Sequence, residues 1–193
     1  MPYRCMFGSE VFYLGLDFPT QGMRPNSDTC STVFGNVMDS PIKRESVDLV
    51  LCTQVLEHVE KPAAVISEIE RILKVRGTVI LSTHGVFPFH ACPNDFWRWT
   101  DSGLKKMFER FGNVRVIPAN TTIGTFAYLL EDQIHFHLPF TLKQPSIRGL
   151  CGLALRWVVN VSGDVAQKIQ PDDSGGRPLI GVYVVVAEKK ERV

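Results

Sequence analysis

The run Val47–Thr53 (VDLVLCT) constrains the fold more than any other stretch of the chain. Apolar residues stand at successive positions, interrupted only by Asp48, instead of alternating with polar ones. A strand with that pattern is buried on both faces, the mark of a parallel strand with helices packed above and below it. The chain then turns polar at Gln54, passes through Leu56-Glu57-His58 and reaches Glu60-Lys61-Pro62. Pro62 suits the first turn of a helix, where its missing N–H costs little. Val65, Ile66, Ile69, Ile72 and Leu73 recur at helical spacing after it, and Gly77 is the expected stop.

The same alternation continues on both sides. Val11–Asp17 and Ser31–Val37 read as strands before this unit, and Thr78–Thr83 as the buried strand after it. Asp101–Phe111 reads as a helix with Thr100 as N-cap and Leu104, Met107, Phe108 and Phe111 as its apolar stripe. Val114–Ile117 is a short strand, and Leu179–Ala187 is the last and strongest. Strands alternating with helices predict an α/β fold with a mostly parallel sheet. At 193 residues the chain suits a single domain, 1–193. Between about 121 and 176 the pattern loosens into two apolar helices, near Phe126–Leu130 and Leu150–Val161, broken by Pro139, Pro145 and Pro171–Gly176. This is a helical insertion or cap before the last strand, and its apolar faces are expected to pack on the sheet.

Composition narrows the function classes. A net charge of +1 gives no electrostatic footprint for nucleic acid. The five cysteines have neither metal-type nor redox-type spacing and read as reduced thiols of a cytoplasmic protein. No apolar h-region follows Met1, and Leu150–Val161 is too short and interrupted to span a bilayer. His135 and His137 lack the carboxylate or thiolate company of a metal site, so no metal is expected. Composition leaves the oligomeric state open.

Ligands of open parallel sheets bind beyond the carboxyl ends of the strands. Asp17 ends the first strand, and a carboxylate there can accept both hydroxyls of a ribose. Asn36 and Val37 end the second, where an amide and a backbone N–H can meet an adenine edge. Thr53 and Gln54 end the third, and Ser82-Thr83-His84 the fourth. Together they suggest a nucleoside-type pocket.

These residues carry a resemblance. VDLVLCTQVLEHVEKP, the helix ISEIERILKVRG and the strand TVILST resemble the core of the class I S-adenosylmethionine-dependent methyltransferases, in the large subgroup called methyltransferase type 11. VFYLGLD resembles the strand that ends on the family's ribose ligand, and FGNV stands where Gly-Asp-Ala is usual. FHACPNDFWRWTDSGLKKMF resembles a subset with a His-x-x-Pro-x-Asp-aromatic-Trp-Arg-aromatic-Thr segment. The resemblance covers roughly residues 2–119 and again 179–188.

The resemblance implies a Rossmann-like methyltransferase sheet, mostly parallel with an antiparallel last strand, and S-adenosylmethionine as cofactor. It implies Asp17, Asn36, Val37, Thr53 and Gln54 as cofactor contacts. His84, His90, Asp95, Trp97 and Arg98 fall on the side of the methyl acceptor, expected to be a small molecule. Glu57 and His58 are the candidates for a general base, His58 foremost. Asp95 and Arg98 could also simply pair with each other.

The family's first strand and glycine-rich loop, expected ~20 residues before the acidic ribose ligand, have no counterpart here. In the family that strand lies between the equivalents of Val11–Asp17 and Val47–Thr53. Either these two pair directly in a distorted sheet, or the chain is a fragment of a longer one; the fragment is the expectation. Two other classes stay open: an inactive or truncated methyltransferase-like binding module, and a nicotinamide-dependent oxidoreductase, for which Asp17 would also serve.

Overall fold

The computed structural model describes residues 3–18, 31–90, 93–139, 146–169 and 178–191. Strands β3 (Val47–Thr53) and β4 (Leu73–His84) lie side by side in parallel, with Leu51 opposite Ile80 and Cys52 opposite Leu81. Helix α1 (Pro62–Ile72) makes the crossover between them. Strand β6 (Val182–Glu188) is antiparallel both to β4 and to β5 (Gly112–Pro118), so β3, β4 and β5 point one way and β6 alone is reversed. The order across this sheet is β3-β4-β6-β5. The mixed α/β sheet with a reversed last strand is the one the sequence predicts.

The core forms where the helical stripe meets the sheet. Val65, Ile66 and Ile69 of α1 cluster with Val79 and Leu81 of β4, Val185 and Ala187 of β6, and Leu104, Phe108 and Phe111. Burying each large side chain contributes about 1.5–3 kcal/mol. Helix α2 (Asp101–Met107) starts where the sequence predicts, with Thr100 Oγ1 accepting from Gly103 N at 3.1 Å. It ends at Met107 rather than Phe111. Phe108 and Phe111 sit in a following turn, which still delivers both rings to the core.

The predicted continuation of α1 to Gly77 is not formed. At Leu73 the backbone leaves the helix (φ −64°, ψ 138°), and β4 begins there. Two interactions outcompete the last helical turn. Arg76 (φ 63°) gives its N–H to the Lys189 carbonyl, and Lys189 Nζ donates to the Leu73 carbonyl at 2.8 Å. Residues 73–77 are thus claimed by the segment after β6, far away in sequence.

Strands β1 (Leu14–Asp17) and β2 (Ser31–Phe34) pair in parallel, Asp17 opposite Phe34, as a separate two-stranded sheet. Both are shorter than predicted. Among the described residues no ladder joins β1 to β3, so the direct pairing considered from the sequence is not made. The free edge of β3 shows in its burial: Val47, Leu49, Val50 and Leu51 are half-buried, whereas Val79 and Leu81 of β4 are fully enclosed. Tyr3 reaches toward this edge, its hydroxyl 3.3 Å from Thr53 Oγ1.

Helices α3 (Thr122–His137) and α4 (Ile147–Ile169) pack on each other, held in part by Arg156 Nε donating to Glu131 Oε1 at 2.8 Å. The expectation that their apolar faces pack on the sheet is overturned for most of α4. Arg156 turns toward α3, and Ile147, Leu150, Leu153, Trp157 and Val161 are left exposed, Trp157 by 68%. Pro145 and Pro171–Gly176 lie outside the described residues. Among the described residues no helix is long and apolar enough to cross a membrane. Burial pushes the Cys52 thiol up to about 12.

Candidate functional site at the strand ends

The predicted residues fall at the ends of strands in two separate sheets. At the ends of β1 and β2, the Asp17 carboxylate is exposed, and its Oδ1 accepts from Phe18 N at 2.9 Å. Gly35 N donates to the Asp17 carbonyl at 2.9 Å, which brings the two strand ends together. A Cβ on Gly35 would lie 2.6 Å from Pro41 Cδ, so only glycine fits this approach. Asn36 is exposed and turns the chain, its Oδ1 accepting from Met38 N at 2.9 Å, and Val37 packs against the core.

At the end of β3, Thr53 precedes a strained residue. Gln54 has φ 54°, a left-handed conformation costing a non-glycine residue roughly 1–2 kcal/mol. It is held by its N–H to the Ser82 carbonyl at 2.9 Å and by Nε2 donating to Ser82 Oγ at 3.1 Å. Its Oε1 is buried with no hydrogen-bond partner. An orphaned acceptor beside a strained backbone at a strand end is what a ligand donor would complete.

A second group lies beyond β3 and β4. Glu57 sits in a single 3-10 turn (Leu56–His58) and is fully buried. Its Oε2 accepts from Thr83 Oγ1 at 2.9 Å, and its Oε1 lies 3.2 Å from His84 Nε2. His84 is 4% exposed and stacks on Phe87 at 3.7 Å between ring centroids. The rings of His58 and His90 are 4.9 Å apart, and those of His84 and His90 5.1 Å. Burial, with the charges of His90, Arg98 and His58 nearby, lowers His84 to about 4, against a smaller opposing pull from Asp95. The imidazole is therefore neutral at ordinary pH. Among the described residues no His, Cys, Asp and Glu group is arranged to hold a metal ion.

The segment 94–99 builds the roof of this group. Phe96 N donates to the Glu57 carbonyl at 2.7 Å, Trp97 Nε1 to the Val59 carbonyl at 2.8 Å and Trp99 N to the His84 carbonyl at 2.9 Å. His58 Nδ1 lies 2.6 Å from the Asn94 carbonyl. Arg98 holds both oxygens of Asp95 (2.5 and 2.6 Å) and also donates to the carbonyls of Phe87, Pro88 and Trp97. Arg98 holds the Asp95 carboxyl well below the usual range, helped by the His90 N–H. The guanidinium is thus committed to folding this strap, and Trp99 to the edge of the core. The sequence points to Glu57 and Thr83 as polar residues near strand ends. It carries no signal that a strap some forty residues downstream would seal them from water.

A groove lined in part by Met38, Arg44, Ser67 and Arg71 lies beside α1.

Comparison with known proteins agrees with this fold. The family described as methyltransferase domain matches residues 13–81. Among solved structures, an S-adenosylmethionine-dependent methyltransferase from Archaeoglobus fulgidus superposes with a TM-score of 0.55 at 13% identity, covering 91% of this chain and 75% of its own. The Haemonchus contortus phosphoethanolamine N-methyltransferase 2, solved with S-adenosylhomocysteine and phosphomonomethylethanolamine, superposes at 0.51 with 12% identity over 84% of this chain. The same enzyme solved with S-adenosyl-L-methionine also superposes at 0.51, with 16% identity. The present chain spans only 38% and 37% of those two chains. Among curated proteins, none matches it at the level of sequence. The match makes residues 13–81 similar to the methyltransferase domain, and the chain shares its fold with these enzymes.

Proposed function

We propose that the chain transfers a methyl group from S-adenosylmethionine to a small-molecule acceptor at the carboxyl ends of β1–β4. What supports this reading is the methyltransferase-domain match over residues 13–81, a stretch in which one strand ends on the exposed carboxylate of Asp17 and another is followed by the orphaned Gln54 Oε1. These suit the cofactor. Asp17 would hold the ribose hydroxyls, Asn36 and Val37 the adenine edge, and Thr53 and Gln54 the amino-acid end. When bound, the cofactor supplies a methyl group on a positively charged sulfur. The chain's part is to hold the acceptor in line with that methyl, to exclude water and to take up a proton where the acceptor carries one. On the acceptor side, the partly exposed His90 and Trp97 are the candidates for contact, with His84 buried beside His90, and Asp95 and Arg98 shape the strap that presents them. His58 and His84 are the candidate bases.

A second reading rests on the free edge of β3 and the two separate sheets. A chain in this state could be a methyltransferase-like binding module without turnover. Calorimetric titration with S-adenosylhomocysteine separates the first step. Saturable binding is expected, and Asp17→Ala is expected to weaken it at least about tenfold, since a charged hydrogen-bond partner contributes roughly 1.5–3 kcal/mol. A folded chain that shows no binding would favour the second reading.

A further inference from the structure

We propose that α4 lies flat on an anionic lipid bilayer, with its outward apolar face in the membrane surface. The proposal stands independently of the cofactor reading above.

The covered side of α4 is a narrow seam. Gly149, Gly152 and Val159 are buried, and Arg156 turns to Glu131 of α3. These positions recur every three or four residues, so they share one side of the helix. A Cβ on Gly152 would run into the Leu138 carbonyl, which shows how closely that side is pressed against the end of α3. Opposite the seam, Ile147, Leu150, Ala154, Trp157, Val158 and Val161 are exposed and also recur at helical spacing. The apolar stripe of a helix in a globular domain turns toward its core. Here it turns away from the one helix that α4 packs on, and a contiguous exposed apolar surface marks a docking face.

Charge selects the partner. From Gln133 to Gly163 the sequence contains no Asp or Glu, while Lys143, Arg148 and Arg156 fall within it. Glu131, just before this stretch, is already held by Arg156. A two-fold dimer through α4 would set the same surface against its own copy, cations facing cations with no acid between them. An anionic bilayer supplies the missing negative charge. Trp157, in the middle of the face, is a side chain that favours the headgroup level. Length sets the orientation. From Ile147 to Val161 the face runs about 21 Å, too short to cross a hydrocarbon core of about 30 Å, so the helix lies in the interface.

The test is co-sedimentation of the full chain with two kinds of vesicle, phosphatidylcholine alone and phosphatidylcholine mixed with phosphatidylglycerol. Light scattering of the lipid-free chain runs in parallel. Binding is expected to the mixed vesicles, and to weaken as salt rises from about 0.1 M to about 1 M. Trp157→Gln is expected to weaken it at least about tenfold while leaving the unfolding midpoint unchanged, because the side chain is exposed in the folded chain. Phe12→Gln, which removes an exposed aromatic outside α4, is expected to leave binding unchanged. A folded chain that stays in the supernatant, equal binding to both vesicles, or binding that falls as much in Phe12→Gln as in Trp157→Gln would overturn the proposal. A stable lipid-free dimer that Trp157→Gln splits, with no vesicle binding, would overturn it too and assign the face to a second copy.

Discussion

Replacing Glu68 by alanine is expected to cost about 2–3 kcal/mol of stability, the scale of losing charged hydrogen bonds in a partly buried ion pair. Glu68 lies on α1 and is 7% exposed. It accepts from Ser40 N at 2.8 Å, Ser40 Oγ at 2.6 Å, and Arg71 Nε and Nη2 at 2.7 Å each. Arg71 Nη2 also donates to the Ser40 and Ile42 carbonyls. This cluster fastens the 39–42 loop to α1, and that loop supports Gly35 through Pro41. The alanine variant leaves Arg71 beside emptied space and Ser40 without its acceptor. Urea denaturation should show a lower midpoint with an unchanged slope. Hydrogen bonds from Arg71 and Ser40 lower the Glu68 carboxyl to about 2. Its stabilisation is therefore present above pH 4.5 and is lost as pH falls toward 2. A melting curve for Glu68→Ala that matches the parent at neutral pH would contradict this picture of the loop.

Acidification from about pH 6.5 to 4 is expected to remove roughly 2 kcal/mol through His84 alone. The sign follows from proton binding. Folded His84 titrates at about 4, below the usual 6.5 of an exposed histidine. Across that window the unfolded chain binds a proton that the folded chain refuses, so stability rises with pH and is fully present above the upper limit. The groups facing His84 are Glu57, His58, His90, Asp95 and Arg98, and the burden lies on burial first. His84→Gln should flatten the pH dependence of the unfolding midpoint in this window. Equal slopes in the two proteins would show that His84 is not the group responsible. Above pH 6.5 the two should differ little, apart from the lost stacking on Phe87.

Much of the fold is legible in the sequence because each signal is local. Pro62 reads as the first turn of α1 and Thr100 as the cap of α2, and the structure has both. VDLVLCT reads as a doubly buried parallel strand, and β3 is parallel to β4 but half-buried at the edge of its sheet. The end of α1 is not legible. Leu73 continues the helical stripe, but Lys189, more than a hundred residues later, captures its carbonyl and draws the chain into β4. The outward apolar face of α4 is not legible either, because periodicity gives a stripe and not its partner. Arg156 pairs with Glu131 and thereby decides which side of α4 faces α3.

The candidate site divides in the same way. Asp17, Thr53, Gln54 and His84 are found from their position after apolar runs, a rule that follows from parallel-sheet geometry. The strained φ of Gln54 has no signature in a non-glycine residue. The role of Asp95 and Arg98 as a strap, and the enclosure of Glu57 beneath it, depend on contacts between residues 57–59, 84–88 and 94–99. Spacing alone gives the residue types of this cluster but not which of them point at one another.

The central claim is that the cofactor lies across the carboxyl ends of β1–β4. Hydrogen exchange of the chain with and without saturating S-adenosylhomocysteine tests it most directly. The account predicts slowed exchange at residues 17–18, 35–38, 53–56 and 82–85, with the strands beneath them unchanged. Protection confined to the groove along α1 beside Arg44 and Arg71, or no protection in a folded chain, would contradict it.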